Sequence, residues 1–210
     1  MRSSIVVLLT TITMTGFTAR ASVAQANPRE PLLRGASFLL LKYASTHTMA
    51  LYGAYGRGPA IGLVGLVWNP RSGNEQALIG CGTRLRLGAR AGLTMLAAIA
   101  GGSDGSMLRF YALPQVRKGG VTLGATATTS VPLGGDRRWR AAVDPLLLSF
   151  RATRALSVGV AGVVRARADR ATAVGGGPVS AVHVAGVTVR GELVVLSTGA
   201  EARVVTGVAF

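Results

Sequence analysis

Arg84 and Arg86 stand two residues apart, as do Arg165 and Arg167, and Arg90, Arg109 and Arg203 recur singly along the chain. A guanidinium is always charged and carries five N–H donors in a rigid fork, so it captures carboxylates and phosphates. The chemistry on offer is the holding of anions, not the making of bonds. Lysine and arginine together number 23 against eight acids, a formal net charge of +15, and the only lysines are Lys42 and Lys118. These cations are scattered from Arg29 to Arg203 and form no run or stripe. A nucleic-acid partner is therefore not expected. Anionic lipid, including lipopolysaccharide, and small anionic solutes are the partners that the charge favours.

Groups for covalent chemistry are sparse. The two histidines, His47 and His183, have no metal-ligand spacing, and Cys81 is alone. Ser180, His183 and Asp144 can be assembled into a triad only on paper, and no serine is read as a nucleophile elbow. The glycine-rich segments lack the Lys-Ser/Thr of a phosphate loop, and Gly80-Cys81-Gly82 lacks the third glycine of a dinucleotide site. No catalytic residue, metal or cofactor is assigned, and the chain is not expected to be an enzyme. His183 reads as a hydrogen-bonded or lumen-facing histidine, and Cys81 as an inert thiol on an apolar face.

The elements that must position the arginines follow a period of two. From Ile79, the side chains Ile79, Cys81, Thr83, Leu85 and Leu87 oppose Gly80, Gly82, Arg84, Arg86 and Gly88. Val121–Val131 and Leu156–Arg167 alternate in the same way, with valines and leucines opposing glycine, threonine, serine and arginine. Successive strand side chains point to opposite faces, so each strand has one apolar face and one small or cationic face. Arg84, Arg86, Arg90, Arg165, Arg167 and Arg203 fall on the small-residue face, with Arg109 and Arg117 in a similar phase. Turns are expected at 56–59, 69–74, 101–105, 118–120, 134–136 and at Gly175-Gly176-Gly177-Pro178. Residues 32–43 fit a short helix or an irregular first strand.

The first 26 residues have a short basic start, an apolar stretch from Ile5 to about Phe17, and the ending Ala24-Gln25-Ala26. These are the three parts of a secretory signal peptide cleaved after Ala26. An organelle transit peptide shares the absence of acids, but the Ile5–Leu9 block and the Ala-x-Ala ending favour secretion. No later segment reaches the length of a membrane helix, about 20 residues. The strands, however, are long enough to cross a bilayer when tilted, about 9–11 residues. A sheet in lipid must close, because an open edge leaves backbone groups unbonded. The expected fold is all-β: a single closed antiparallel transmembrane β-barrel of about ten strands (8–12). It spans residues 47–210, preceded by a signal peptide (1–26) and a segment of undetermined structure (27–46). The rival is a secreted soluble β-sandwich that binds an anionic polymer or surface.

The chain ends Arg203-Val204-Val205-Thr206-Gly207-Val208-Ala209-Phe210. A final alternating strand closing on phenylalanine resembles that of bacterial outer-membrane β-barrel proteins. The resemblance implies that Phe210, Val208 and Val204 act as the signal read by the barrel-assembly machinery, and that the protein resides in the cell outer membrane. Trp68, Trp139 and four tyrosines make thin interfacial girdles for such a barrel. An arginine facing lipid at the midplane would cost about 2–4 kcal/mol, so the arginines must face the lumen or the rims. The expected role is structural or interactive, with a narrow anion-leaning pore as the second reading.

Overall fold

The structure, a computed structural model, describes residues 37–103, 105–134, 139–168 and 170–209. The expected signal peptide and Phe210 lie outside them. Twelve strands follow in chain order: β1 (Phe38–Ala44), β2 (Thr48–Arg57), β3 (Ala60–Asn69), β4 (Asn74–Arg86), β5 (Ala91–Gly102), β6 (Met107–Lys118), β7 (Val121–Pro132), β8 (Arg140–Arg151), β9 (Leu156–Arg167), β10 (Arg170–Val184), β11 (Val187–Leu196) and β12 (Gly199–Ala209). Each pairs antiparallel with its chain neighbour, and β1 pairs with β12 from Phe38↔Ala209 to Ala44↔Arg203. The sheet thereby closes into a barrel with no free edge. That closure excludes the two-sheet sandwich.

The strand count is twelve, the upper end of the expected range of 8–12. Phe38–Ala44, within the segment that the sequence left unassigned, is β1, so the barrel begins before residue 47. Gly175-Gly176-Gly177-Pro178, expected as a turn, lies inside β10. A Cβ at Gly175 would collide with the carbonyl oxygen of Val195, and one at Gly177 with that of Leu193, both on β11. The glycines are there because β10 and β11 approach too closely for a side chain. The turn comes later, at Ala185-Gly186, where both residues have positive φ (48° and 83°).

The alternation read from the sequence places its apolar face outward. Ile79, Ile99, Val174, Val184 and Val195 are each more than half exposed on the outer wall. An apolar exterior on a closed barrel is the arrangement a bilayer requires, because lipid has no hydrogen bonds to offer. Tyr43, Trp68 and Trp139 lie near one end of the barrel, and Tyr55 and Phe150 near the other. Tyr52, by contrast, points inward and packs against the lumen cluster. Pro145 lies where the register shifts against both β7 and β9. Such a bulge, where a proline needs no ladder partner, turns both Asp144 and Leu147 to the lumen.

The end that holds the start of β1 and the finish of β12 is called the terminal end. Its connections run from two to four residues, at 58–59, 87–90, 119–120, 152–155 and 185–186. The opposite end carries the longest connection, 133–139.

Candidate functional site

The lumen has two walls of different chemistry. On β2 to β6, the inward residues Ala54, Ile61, Leu63, Leu78, Leu96, Ala98, Ala100 and Met107 form a buried apolar cluster flanked by Phe38, Tyr52, Val67, Tyr111 and Leu113. On β8 to β12, an ion network occupies the interior. Arg203 donates through Nε to Glu201 Oε1 at 2.6 Å, and through one terminal nitrogen to Glu192 Oε2 at 3.3 Å and Asp144 Oδ2 at 3.4 Å. Arg190 pairs with Glu192 at 2.8 Å, and Arg165 reaches Glu201 at 3.8 Å. Arg203 is 2% exposed, and Val163 and Val194 on the same side of the inner wall are fully enclosed. Buried charges of this kind persist only when paired and hydrogen-bonded.

Within that cluster three arginines meet three acids, so these six charges balance, and Lys42 of β1 adds a cation within electrostatic reach of them. The lumen-facing acids among the described residues all belong to it, whereas the cations extend well beyond it. Strand register also places Lys42, Arg84, Arg86, Arg109, Arg117, Arg140 and Arg151 on the inner face. Arg109 donates to the amide oxygen of Gln76 across β5. Cationic side chains therefore stand on the inner wall on both sides of the cluster.

The proposed arginines are thus distributed, not gathered into one site. Arg165 and Arg203 share the ion network; Arg109 stands with Gln76; Arg84, Arg86 and Arg90 line a cavity at the terminal end together with Arg117. Arg167 closes β9, and its side chain lies outside what the structure describes. Val204 and Val208 stand in register with Tyr43 and Leu39 of the outer wall, and Val204 is exposed.

The sequence did not single out Glu192, Glu201 and Asp144 as members of one cluster. They sit on three strands and become neighbours only through register and the β8 bulge. The one local signal is that Glu201 and Arg203 are two residues apart and hence share a face.

The residues considered for covalent chemistry do not converge. His183 faces the lumen between Ser157 Oγ (3.1 Å) and Thr188 Oγ1 (2.9 Å), a side chain held by two hydroxyls. Ser180 is exposed on the outer face, away from both His183 and Asp144. Residues 101–105 spell Gly-x-Ser-x-Gly. Ser103 directly follows β5, whose next element is the antiparallel strand β6 rather than a helix, and Ser103 Oγ accepts from the Glu75 N–H at 2.9 Å. Cys81 is exposed on the apolar outer wall. Among the described residues no group of His, Cys, Asp and Glu is placed to hold a metal ion.

No protein-family model matches the chain, and no curated relative matches it in sequence. Its fold does match solved outer-membrane porins. A structure of the KdgM porin in complex with disordered oligogalacturonate superposes with a TM-score of 0.63 at 8% identity, covering 83% of this chain and 99% of that one. A second KdgM porin structure gives 0.61 at 7% identity, and the NanC porin gives 0.58 at 11% identity, with the same coverage. At these identities the likeness concerns architecture: a small closed barrel of the porin type.

Proposed function

We propose that the chain is an outer-membrane β-barrel with a narrow lumen that admits small anions in preference to cations. The observation that carries this reading is the lopsided charge of the inner wall. Its acids lie in one cluster, while arginines continue toward both mouths. Rings and rows of arginine favour anions, because a cation entering such a lumen meets repulsion that water in a narrow space screens poorly. The porin-type fold supports the same reading, as does the apolar outer wall. Delivery through a cleaved signal peptide, recognition of the terminal strand by the barrel-assembly machinery, and contact with lipopolysaccharide belong to this proposal.

A second reading is a barrel without conduction that serves as a structural or binding element. It is favoured by the enclosed side chains of Ala100, Val163, Val194 and Arg203, which fill the interior from both walls. Barrels of about eight strands are filled by side chains, and twelve leave only modest additional width.

Planar-bilayer recording of the refolded protein in a KCl gradient separates the two. Channels with a reversal potential on the chloride side support the anion passage. Cation-selective channels overturn it. Correctly folded protein without channels establishes the second reading.

A further inference from the structure

The rim at the terminal end of the barrel holds a cavity of about 310 Å³ whose lining includes Arg84, Arg86, Arg90 and Arg117, with no acid among the residues that form it. These arginines arrive from three directions. Arg84 and Arg86 stand on β4, opposite Thr94 and Gly92 of β5. Arg90 lies in the β4–β5 turn. Arg117 lies on β6, and its backbone N–H donates to the Arg90 carbonyl at 2.8 Å, tying the two elements together. Gly88, Gly92 and Gly119 of the same lining contribute no side chains to the cavity.

Arg84 supplies the second observation. The residue is 8% exposed, and its Nε is buried with no hydrogen-bond partner among the described residues. A buried charged donor without an acceptor is costly and uncommon in a folded protein. An oxyanion seated in the cavity would supply that acceptor.

We propose that these four arginines form a binding site for a free, doubly charged tetrahedral oxyanion, of which inorganic phosphate is the simplest case. A tetrahedral anion presents acceptors in several directions, matching donors that come from a strand, a turn and a second strand. A carboxylate offers two oxygens in one plane and neutralises a single charge. Arg84 and Arg86 face the lumen, while Leu85 and Ala91 of the same lining belong to the outer face, so the site lies at the rim and a lipid headgroup is the competing source of the same chemistry. The proposal deepens the anion-passing reading and rests on it only for the route by which the ion arrives.

The test is titration of inorganic phosphate into the refolded full barrel in zwitterionic detergent at constant ionic strength, followed by calorimetry and by phosphorus NMR. Acetate and an anionic phospholipid are run in parallel. Saturable phosphate binding that exceeds acetate binding, and that weakens roughly tenfold or more in Arg84→Gln, is the expected result. Should Arg84→Gln fail to fold, the exposed pair Arg86→Gln/Arg90→Gln decides, with heat-dependent gel mobility as the folding control. Absence of saturable phosphate binding, equal binding by the variants, or a response only to the phospholipid would overturn the site. Chloride selectivity, measured separately in bilayers, fails or stands independently of these results.

Discussion

Arg203 on β12 and Glu192 on β11 are direct partners across the antiparallel pair and form a buried ion pair at 3.3 Å on the lumen face. Arg203 also holds Glu201 and Asp144, so one guanidinium connects β12 with the bulged strand β8 through the middle of the barrel. The network braces the side of the lumen that lacks an apolar cluster.

Replacement of Arg203 by methionine leaves three carboxylates around a side chain with no donors. Breaking a buried pair costs about 3–5 kcal/mol, with the lower end expected here because Arg165 and Arg190 remain close to Glu201 and Glu192. The midpoint of urea unfolding in detergent should fall accordingly. An unchanged midpoint would show that the network contributes nothing to stability.

The two walls predict opposite responses to added charge. Ile79→Arg places a guanidinium on the outer wall, where it should destabilise the membrane-inserted barrel by about 2–4 kcal/mol. Thr128→Arg points into the lumen and should leave stability in lipid within about 0.5 kcal/mol, as surface substitutions usually do. Equal effects in an unfolding titration from liposomes would contradict this assignment of faces.

Gly177→Ala should prevent assembly, because the new methyl group meets the Leu193 carbonyl oxygen on the adjoining strand. Gly191→Ala on β11 is the control: its nearest neighbour would be Ser180 Oγ at 3.9 Å, an ordinary contact. The heat-dependent mobility of the barrel on an SDS gel should be lost in the first variant and kept in the second.

Deletion of Phe210 should sharply lower the fraction of protein assembled in the outer membrane, while the purified variant still refolds in detergent. Fractionation of cells expressing both forms measures the difference. Normal assembly of the truncated chain would remove the terminal strand from its proposed role as a recognition signal.

Neutralising lumen charge should weaken anion preference. One unit charge about 7 Å from the ion path in water is worth roughly 0.6 kcal/mol, with opposite sign for an anion and a cation, so Arg109→Gln should reduce the anion-to-cation permeability ratio about sevenfold. A shift toward anions, read from the reversal potential, would reverse the sign of the electrostatic account.

Much of this molecule was legible along the chain. Ile79–Leu87 and Leu156–Arg167 declare two faces by period alone, because a strand offers only two and the arginines cannot share the one that meets lipid. The Gly58-Pro59 and Gly119-Gly120 turns were readable for a similar local reason. Gly175–Pro178 misled because the same residues suit a tight turn and a crowded strand, and only the presence of β11 against β10 distinguishes them. Ala185 in the true turn gives no sequence signal of its positive φ.

The sequence by itself determined an all-β chain with an apolar outer face and a cationic inner one, since alternation acts between neighbouring residues. Closure of β1 on β12, the number twelve, and the meeting of Arg203 with Glu192, Glu201 and Asp144 were decided by tertiary structure. So was the gathering of Arg84, Arg86, Arg90 and Arg117 at one mouth. These depend on register between strands far apart in the chain, which is set by the barrel as a whole and by the bulge at Pro145, and no local pattern encodes it.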